Sequence, residues 1–463
     1  MHNSLSIPNK SLLITKLMSI ALPFSLQLLL YAMLGLVDIM MVSQLGDTAV
    51  AAVGLSNRIF YFNLVVVLGI SGGVSVLAAQ YWGSQDNAGI RRCLIQALIA
   101  SLILSTPFLL MYTLAPDLLI GLASSDATLI TLSSSYMQIT GVSLLFTCIV
   151  VPIEATLRAV GDSKTPTYIS VFTIGLNVFL NWLLIFGNLH FPELGVDGSA
   201  WGTTVARLFQ AALICFFIWR RMKWLVPSAA DLFSACTRKH VRLFATVAIP
   251  IVCHDGGWAL GTLMYTFIYG QMSVEALAIM SILSPIENCI YSFFLGFSLA
   301  CSTLLGHELG ANRYEHARYQ SNLFLLLGTL IALLAGMLLY LATPYILPLF
   351  GKLSASSVQS ATYVLLVLST VLCVKVFNTI GVIGILRSGG DTRYAATINI
   401  CCMWGVGIPL VYISALWWQW PLYLVFLISM SEEVVKAGFL IYRLLLRKWL
   451  NNLVSDPVPT KQH

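Results

Sequence analysis

Charged residues are scarce in this chain of 463 residues, because Asp, Glu, Lys and Arg make up only 10% of it while 58% is hydrophobic. An ordinary soluble domain carries about 25% charged residues, so this scarcity excludes that class. Apolar stretches long enough to cross a hydrocarbon core roughly 30 Å thick as helices recur along the sequence. The composition therefore predicts an integral membrane protein.

Motifs of several other protein classes are missing. The ten cysteines form no CxxC pair and no Cys/His metal spacing, so we expect neither disulfides nor structural zinc. The glycine-rich segment GISGGVS at residues 69–75 lacks the GK[ST] that holds phosphates, and its glycines instead predict close helix packing. No HExxH or clustered His/Asp set indicates an enzyme, and we predict no enzymatic activity and no cofactor. The first sixteen residues lack a signal-peptide cleavage pattern and are expected to stay on the protein.

Twelve apolar segments are predicted to cross the membrane, which makes the fold class all-α. Their approximate bounds are residues 17–43, 50–79, 93–115, 131–157, 166–187, 199–219, 243–269, 276–303, 320–341, 358–385, 395–416 and 420–446. Most Lys and Arg residues lie in the termini and in alternate loops, a pattern that places both termini in the cytoplasm. We therefore predict a multi-pass protein of a bacterial inner (plasma) membrane and no nucleic-acid partner, although the net charge is +6.

The sequence repeats itself. LRAVGDSKT at residues 157–165 and LRSGGDTRY at residues 386–394 are near copies, at a shift of 229 residues (386 minus 157). A shift of 227 (248 minus 21) pairs Ala21-Leu22-Pro23 with Ala248-Ile249-Pro250. Each twin string is predicted to turn the chain from the fourth helix of its half into the fifth.

The repeat predicts two six-helix lobes, an N-terminal lobe at 1–219 and a C-terminal lobe with its tail at 243–463, joined by a cytoplasmic linker at 220–242. Because six is even, both lobes enter the membrane in the same orientation, and a pseudo-two-fold axis along the membrane normal should relate them. Two such lobes suit alternating access around a site near mid-membrane. Without a nucleotide-binding loop in this chain, uphill transport would draw on an ion gradient.

A charge inside the bilayer is costly, so each one is a candidate functional group. Residues kept in both halves are predicted to serve folding, namely Arg158, Asp162, Arg387 and Asp391, with Arg207 opposite Lys436. Polar residues found in one half only are candidates for binding a coupling ion, a proton or a substrate, namely Asp38, Asn177, Asp255, Glu287 and Lys375.

Several segments together resemble the multidrug and toxic compound extrusion (MATE) family over about residues 17–450. They are LGLVDIMMVSQLGDTAVAAVGL at the end of helix 1, AQYWGSQD after helix 2 with its counterpart GHELGANRYEHA after helix 8, and the twin strings LRAVGDSKTP and LRSGGDTRY. The resemblance implies an antiporter that expels organic, cationic and amphiphilic compounds in exchange for Na⁺ or H⁺. It also implies partners limited to small organic molecules and the lipid bilayer, and we expect the protein to function as a monomer.

The resemblance further implies site residues. The family's acidic position in helix 1 falls on Asp38, and the asparagine pair of helix 5 falls on Asn177 and Asn181, which is closer to the NorM-like branch than to the DinF-like one. That branch has carboxylates in helices 7 and 10, where this chain has Asp255 near the first position and Lys375 in helix 10. Glu287 in helix 8 is a candidate replacement.

Each of these assignments has an alternative. Asp38 could pair with a helix neighbour instead of carrying an ion or a proton. Asp255 and Glu287 could form one cation or substrate site, or one of them could form a buried structural salt bridge with Lys375, which could also act as a tethered counter-cation. Two further pairs are predicted to be structural at i,i+4 spacing, Glu154 with Arg158 on an exposed surface and Glu432 with Lys436.

The alternative function within the same superfamily is a flippase for lipid-linked oligosaccharides. Such a protein would favour a cavity rich in arginines to bind diphosphate groups. Apart from Arg443 near the cytoplasmic end of the last segment, the predicted spans contain only Arg58 and Arg207. Arg58, as a charge inside a predicted span, is also a candidate for binding the coupling ion or the substrate.

Overall fold

The computed structural model describes residues 10–123, 125–346 and 355–455. Its first ten helices are α1 (Lys10–Val42), α2 (Asp47–Gly83), α3 (Asn87–Leu114), α4 (Pro116–Gly121), α5 (Ala127–Gly141), α6 (Ser143–Ala159), α7 (Lys164–Ile185), α8 (Gly195–Arg221), α9 (Ala229–Ala235) and α10 (Arg238–Met272). The next seven are α11 (Val274–Gly310), α12 (Tyr314–Ile346), α13 (Ala355–Thr379), α14 (Thr392–Cys402), α15 (Ile408–Tyr412), α16 (Leu422–Ser429) and α17 (Ser431–Leu445). Three π-helical segments continue the last third of the chain, at Ile380–Leu386, Met403–Gly407 and Ile413–Trp417.

The described residues contain ten helices long and apolar enough to cross a membrane, or eleven if α5 and α6, which meet at a bend of 47°, count as one span. The all-helical membrane fold predicted from the sequence is confirmed. The twelfth predicted segment, 420–446, is broken at Met430 into α16 and α17. The two helices have only 8 and 15 residues, and α17 contains four charged residues, namely Glu432, Glu433, Lys436 and Arg443. Neither helix is therefore long and apolar enough to cross a membrane by itself.

The first compact unit comprises residues Leu26–Val252. Its predicted linker, 220–242, contains α9, which packs against α3. Arg91 Nε donates to Asp231 Oδ2 over 2.7 Å, and Gln96 Nε2 donates to the backbone oxygen of Ala235 over 2.8 Å. A capping box between Ser228 and Asp231 begins the helix. The linker region is therefore a docked element of this unit.

The second compact unit comprises Cys253–His463 together with the chain up to Ser25. The start of α1 supplies Leu13, Leu17 and Ile20 to the same buried cluster as Phe294 and Phe297. The Ser25 hydroxyl donates to the backbone oxygen of Phe293 over 2.8 Å. The two units thus divide α1 and α10, whereas the sequence predicted boundaries at residues 219 and 243.

Glycines explain where α1 and α10 are divided. A methyl group at Gly296 would lie 2.7 Å from Cα of Ser25, and one at Gly69 would lie 2.7 Å from Cα of Val252. The 227-residue shift that relates Gly69 to Gly296 also relates Ser25 to Val252. The predicted close packing of the GISGGVS glycines is confirmed at Gly69 and at Gly73, which contacts Ala248.

The twin strings form the same turn. Gly161 and Gly390 have φ of 93° and 73°, in the region that favours glycine. Their N–H groups donate to the oxygens of Arg158 and Arg387, each over 2.9 Å. The next residue closes the turn in both halves, since the N–H of Asp162 and of Asp391 donates to the residue five positions earlier. The turns into α7 and α14 are as predicted.

Candidate functional site

Asp38, Asn177 and Asn181 lie in one hydrogen-bonded group. The one-turn spacing of the two asparagines places them on the same face of α7, and Asn181 Nδ2 donates to Asp38 Oδ1 over 2.8 Å and to Asn177 Oδ1 over 3.3 Å. Asn177 Nδ2 in turn donates to Thr203 Oγ1 of α8 over 3.3 Å. The structure thus brings together the three residues that the family resemblance singled out, and Thr203 is a member that the sequence did not reveal.

The side-chain oxygen of Asn181 accepts no hydrogen bond from any described residue, although Asn181 is fully buried. It lies against Gly202, where any larger side chain would collide with it. Buried acceptors are normally satisfied. The amide oxygen lacks a hydrogen-bond donor, and the neighbouring half-buried carboxylate forms no ion pair with a described residue. This pair of oxygens is therefore suited to bind a cation or a group that carries a proton.

A second buried polar network surrounds Glu154 in the same unit. Gln27 Nε2 donates to Glu154 Oε2 over 3.0 Å, and Gln210 Nε2 donates to Glu154 Oε1 over 3.2 Å. Arg158 Nη1 reaches Glu154 Oε2 at 3.1 Å. The predicted i,i+4 pair exists, but the prediction that it is exposed was wrong, because only 4% of Glu154 is accessible. The glutamines within apolar helices were the available sequence signal for this network.

Arg58 and Arg207 of the predicted spans differ in their surroundings. Arg207 Nη1 donates to Gln210 Oε1 over 2.8 Å, and its guanidinium lies 5.5 Å from the ring centre of Tyr31. Arg58 is exposed on α2. Among the described residues no hydrogen bond or ion pair connects Arg58 with Asp38. The structure therefore does not bring Arg58 into the Asp38 group, and its substrate role stays a prediction.

Asp255 and Glu287 lie in separate ion pairs of the second unit. Glu287 pairs with Lys375 across α11 and α13. Asp255 Oδ1 lies 2.6 Å from Arg387 Nη2 and 2.9 Å from His254 Nδ1. The alternative in which one carboxylate pairs with Lys375 is thus observed, and no contact among the described residues joins Asp255 to Glu287 directly.

The repeated arginines make one equivalent contact and different ion pairs. Arg158 Nη1 donates to Gln27 Oε1 over 3.3 Å, and Arg387 Nη2 lies 2.7 Å from His254 Nδ1. Gln27 and His254 are themselves related by the 227-residue shift. The acid partner comes from the same helix in the first unit, Glu154, and from α10 in the second, Asp255.

The repeated aspartates also differ in their side-chain partners. Asp162 Oδ1 accepts from the N–H of Thr165 over 3.0 Å. Asp391 forms two hydrogen bonds with Arg443, of 2.6 and 2.9 Å. The backbone turn is therefore common to both repeats, while the ion pair is found in the second.

The acids and lysine of α17 are arranged differently from the prediction. Lys436 Nζ bonds Glu433 Oε1 over 3.1 Å, at i,i+3 spacing, whereas a pair with Glu432 was expected. Asn378 Nδ2 also donates to Glu433 Oε2 over 2.6 Å. Glu432 Oε2 accepts from the Tyr265 hydroxyl over 2.8 Å. Packing against α13 and α10 decides these partners, and sequence spacing on one helix could not.

No group of three or more His, Cys, Asp or Glu side chains suited to a metal ion occurs in the described ranges. The polar side chains described above within the membrane helices are mainly single acids, amides and ion pairs. Such groups can exchange protons or monovalent cations and can bind organic cations.

Comparisons with known proteins agree over almost the whole chain. The chain is 27% identical over 432 residues to the uncharacterized transporter YisQ of Bacillus subtilis, covering 92% of this chain and 93% of that protein. It is 23% identical over 444 residues to the probable multidrug resistance protein NorM of Thermotoga maritima, covering 94% of this chain and 92% of that protein.

Solved structures show the same fold. A crystal structure of MATE in the bent conformation superposes with a TM-score of 0.86 at 19% identity, covering 96% of this chain and 97% of that one. An outward-facing multidrug resistance MATE family transporter of the MOP superfamily gives a TM-score of 0.84 at 19% identity, covering 94% of this chain and 96% of that one.

The family model named MatE matches residues 23–183 and 258–413, which lie in the two sequence repeats and together exceed half of the chain. The chain therefore belongs to the MatE family, and it is a multi-pass membrane transporter.

Proposed function

We propose that this transporter is a secondary active antiporter, which exports organic, cationic and amphiphilic compounds across a bacterial inner membrane in exchange for Na⁺ or H⁺. Membership of the MatE family and the relatives named as multidrug resistance proteins support this proposal. The observation that carries it is the Asp38–Asn181 pair with its unsatisfied amide oxygen. The protein needs no partner chain in this scheme and acts as a monomer.

Competition for the Asp38 carboxylate couples the two fluxes in this proposal. An ionised carboxylate within the membrane is costly unless a positive group compensates its charge. A coupling cation or proton and a cationic substrate both compensate it, so binding of one weakens binding of the other. Alternating access then converts this negative coupling into exchange, because each occupant leaves on the side where the other is abundant.

The ion pair of Glu287 with Lys375 has a different proposed role. Together with Tyr291, Phe294 and Thr379 these two residues line a small pocket between α11 and α13. Lys375 already compensates the charge of Glu287, so Na⁺ cannot bind there without displacing the ammonium group. We therefore assign Lys375 as a tethered counter-cation, and Asp255 as a structural partner of Arg387.

Transport in sealed vesicles tests the function. We expect a Na⁺ or a proton gradient, imposed separately, to drive efflux of a fluorescent organic cation. Asp38→Asn should lower the driven rate at least tenfold, since the amide cannot lose a proton or offer a full negative charge. Asp117→Asn, at an exposed acid of α4, is the matched control and should retain the wild-type rate.

Two results would contradict the proposal. Full gradient-driven efflux in Asp38→Asn would remove the residue from the mechanism. Failure of both gradients to drive any tested cation would instead favour the flippase alternative, which a lipid-linked diphosphate sugar can then test. The structure disfavours that alternative, because Arg207 is held by Gln210 and Tyr31 and only Arg58 is an exposed arginine of the predicted spans.

A further inference from the structure

We propose that Glu432 is a second proton-binding carboxylate, located in the compact unit formed by Cys253–His463 and the start of α1. This inference deepens the proposed ion-coupled transport and rests on it for its physiological meaning. Its structural basis, however, is independent of Asp38 and of any transport measurement.

A charge count carries the inference. Three acids and two lysines cluster within this unit, namely Glu287, Glu432, Glu433, Lys375 and Lys436. Glu287 pairs with Lys375, and Lys436 hydrogen-bonds Glu433. If all five groups were ionised, the cluster would carry one uncompensated negative charge. An uncompensated charge in a buried site is removed most simply when one carboxylate takes a proton.

Glu432 is the member that lacks an ion pair. It is 7% exposed, and among the described residues its hydrogen-bond partner is the neutral Tyr265 hydroxyl at 2.8 Å. Glu433, by contrast, is held by Lys436 Nζ at 3.1 Å and by Asn378 Nδ2 at 2.6 Å. Lys436 lies within electrostatic range of both acids, but its hydrogen bond goes to Glu433.

The other groups around Glu432 do not supply the missing charge. Tyr265 and Tyr269 approach from α10 and Cys402 from α14, and all three are uncharged when protonated. Lys375 of α13 also lies within electrostatic range but is paired with Glu287.

The neighbouring ion pair is balanced and adds no charge. Asp255 compensates Arg387. Arg387 Nη2 lies 2.7 Å from His254 Nδ1, and since a guanidinium only donates hydrogen bonds, Nδ1 is the acceptor in this contact, as in a neutral imidazole that adds no charge.

Unsatisfied polar atoms give a second, independent indication. Asn378 Oδ1 and Ser431 Oγ are buried and have no hydrogen-bond partner among the described residues. Asn378 is only 2% exposed, its amide nitrogen bonds the Glu433 carboxylate, and Ser431 immediately precedes Glu432. A cluster with free acceptors can bind an additional hydrogen-bond donor, such as a carboxylic acid proton or the water that delivers it.

The repeat places this acid at an informative position. Tyr265 corresponds to Asp38 at the 227-residue shift, and Glu432 corresponds to Thr203 at the 229-residue shift. Thr203 belongs to the Asp38 group through Asn177. Both units therefore carry an acid in the corresponding pair of helices, on the first helix in one unit and on the last helix in the other. A proton suits the second site better than Na⁺, because the adjacent ammonium groups repel a metal cation.

Infrared difference spectroscopy of the purified full-length protein, with pH as the variable, tests the inference. We expect a carbonyl band of a protonated, buried carboxylic acid that disappears as the pH rises. Glu432→Gln should abolish this band, while Asp38→Asn, at the acid of the other unit, should retain it. Because Glu432→Gln resembles the protonated acid, its thermal stability at neutral pH should equal that of the wild type. Glu433→Gln should melt lower, because it replaces the carboxylate that accepts hydrogen bonds from Lys436 and Asn378.

Persistence of the band in Glu432→Gln, or equal destabilisation by the two substitutions, would overturn the inference. Loss of the band on adding Na⁺ at constant pH would also overturn it in favour of a cation site. If Glu432→Gln does not fold, Tyr265→Phe provides the test, since it should keep the band and shift its frequency through loss of one hydrogen bond. An unshifted band in Tyr265→Phe would count against the site. A transport defect cannot mimic these outcomes, because no transport is measured.

Discussion

Lys375 shows how strongly a single residue can change the chemistry of a site. The resemblance placed a carboxylate of the NorM-like branch in this helix, whereas here an ammonium group compensates Glu287. Both side chains remain about a quarter exposed, at 22% and 25%. The pair is therefore neither fully buried nor freely hydrated, which fits the tethered counter-cation role proposed for Lys375.

Removal of one partner of this pair should cost more than removal of both. We expect Lys375→Ala to lower the free energy of unfolding by roughly 2 kcal/mol, because it leaves Glu287 partly buried without compensation. Glu287→Gln combined with Lys375→Ala should recover most of this loss. Thermal unfolding in detergent measures both effects. A double variant as unstable as Lys375→Ala would show that the ammonium group stabilises the fold through other contacts.

At the scale of the element, α9 converts a predicted linker into a docked helix. Arg91 holds it through Asp231, and the same carboxylate closes the capping box with Ser228. The hydrogen bonds from Arg91 and Ser228 lower the pKa of Asp231 from 3.8 to about 2. Because the folded-state pKa is lowered, the stabilisation is fully present above about pH 4 and is lost as the pH falls through about 2.

Asp231→Asn should therefore loosen α9 at neutral pH. We expect a loss of about 1 kcal/mol of local stability. This is less than the full pKa shift would give, because the Arg91 side chain is 22% exposed and water screens its charge. Hydrogen exchange of the α9 amides measures it, and Asp126→Asn, which removes the capping acid of α5, serves as a control that should leave α9 unchanged. Equal α9 protection in Asp231→Asn and wild type would show that the apolar contacts of the helix suffice.

At the scale of the whole molecule, the beginning of each half belongs to the compact unit of the other half. The absence of a side chain at Gly296 allows the backbone of Ser25 to pack closely against it in one unit, and Gly69 does the same for Val252 in the other. The equivalence of the four positions under one shift indicates that a duplicated sequence encodes the same close approach twice. Neither half of the chain therefore contains a complete compact unit.

Gly69→Ala and Gly296→Ala should destabilise the protein by similar amounts, roughly 1 to 3 kcal/mol each, since a methyl group would lie 2.7 Å from a backbone atom in both places. Gly54→Ala on α2 meets no atom within 4 Å and is the matched control, with stability equal to or above that of the wild type. Melting temperatures of the purified variants compare the three. A neutral effect at one of the two glycines would show that this contact relaxes.

The sequence by itself determined the membrane class, nearly all helices, the repeat and the twin turns. These features depend on hydrophobic length, on local glycine conformation and on similarity along the chain, which are all local properties. It also indicated Asp38 and Asn177, as polar residues found in one half only, and the family resemblance added Asn181. The coupling ion, the substrate and the roles of the site residues stay proposals.

Only the tertiary structure decided which charges meet. Glu432 and Glu433 are adjacent in sequence and both within a turn of Lys436, and the i,i+4 spacing predicted the wrong partner, Glu432. Contacts from α10 and α13 assign Glu432 to Tyr265 and Glu433 to Lys436 and Asn378. Likewise, packing buries Glu154 and divides α1 at Ser25. Partner choice and burial depend on distances between helices, which the order of residues along one helix does not specify.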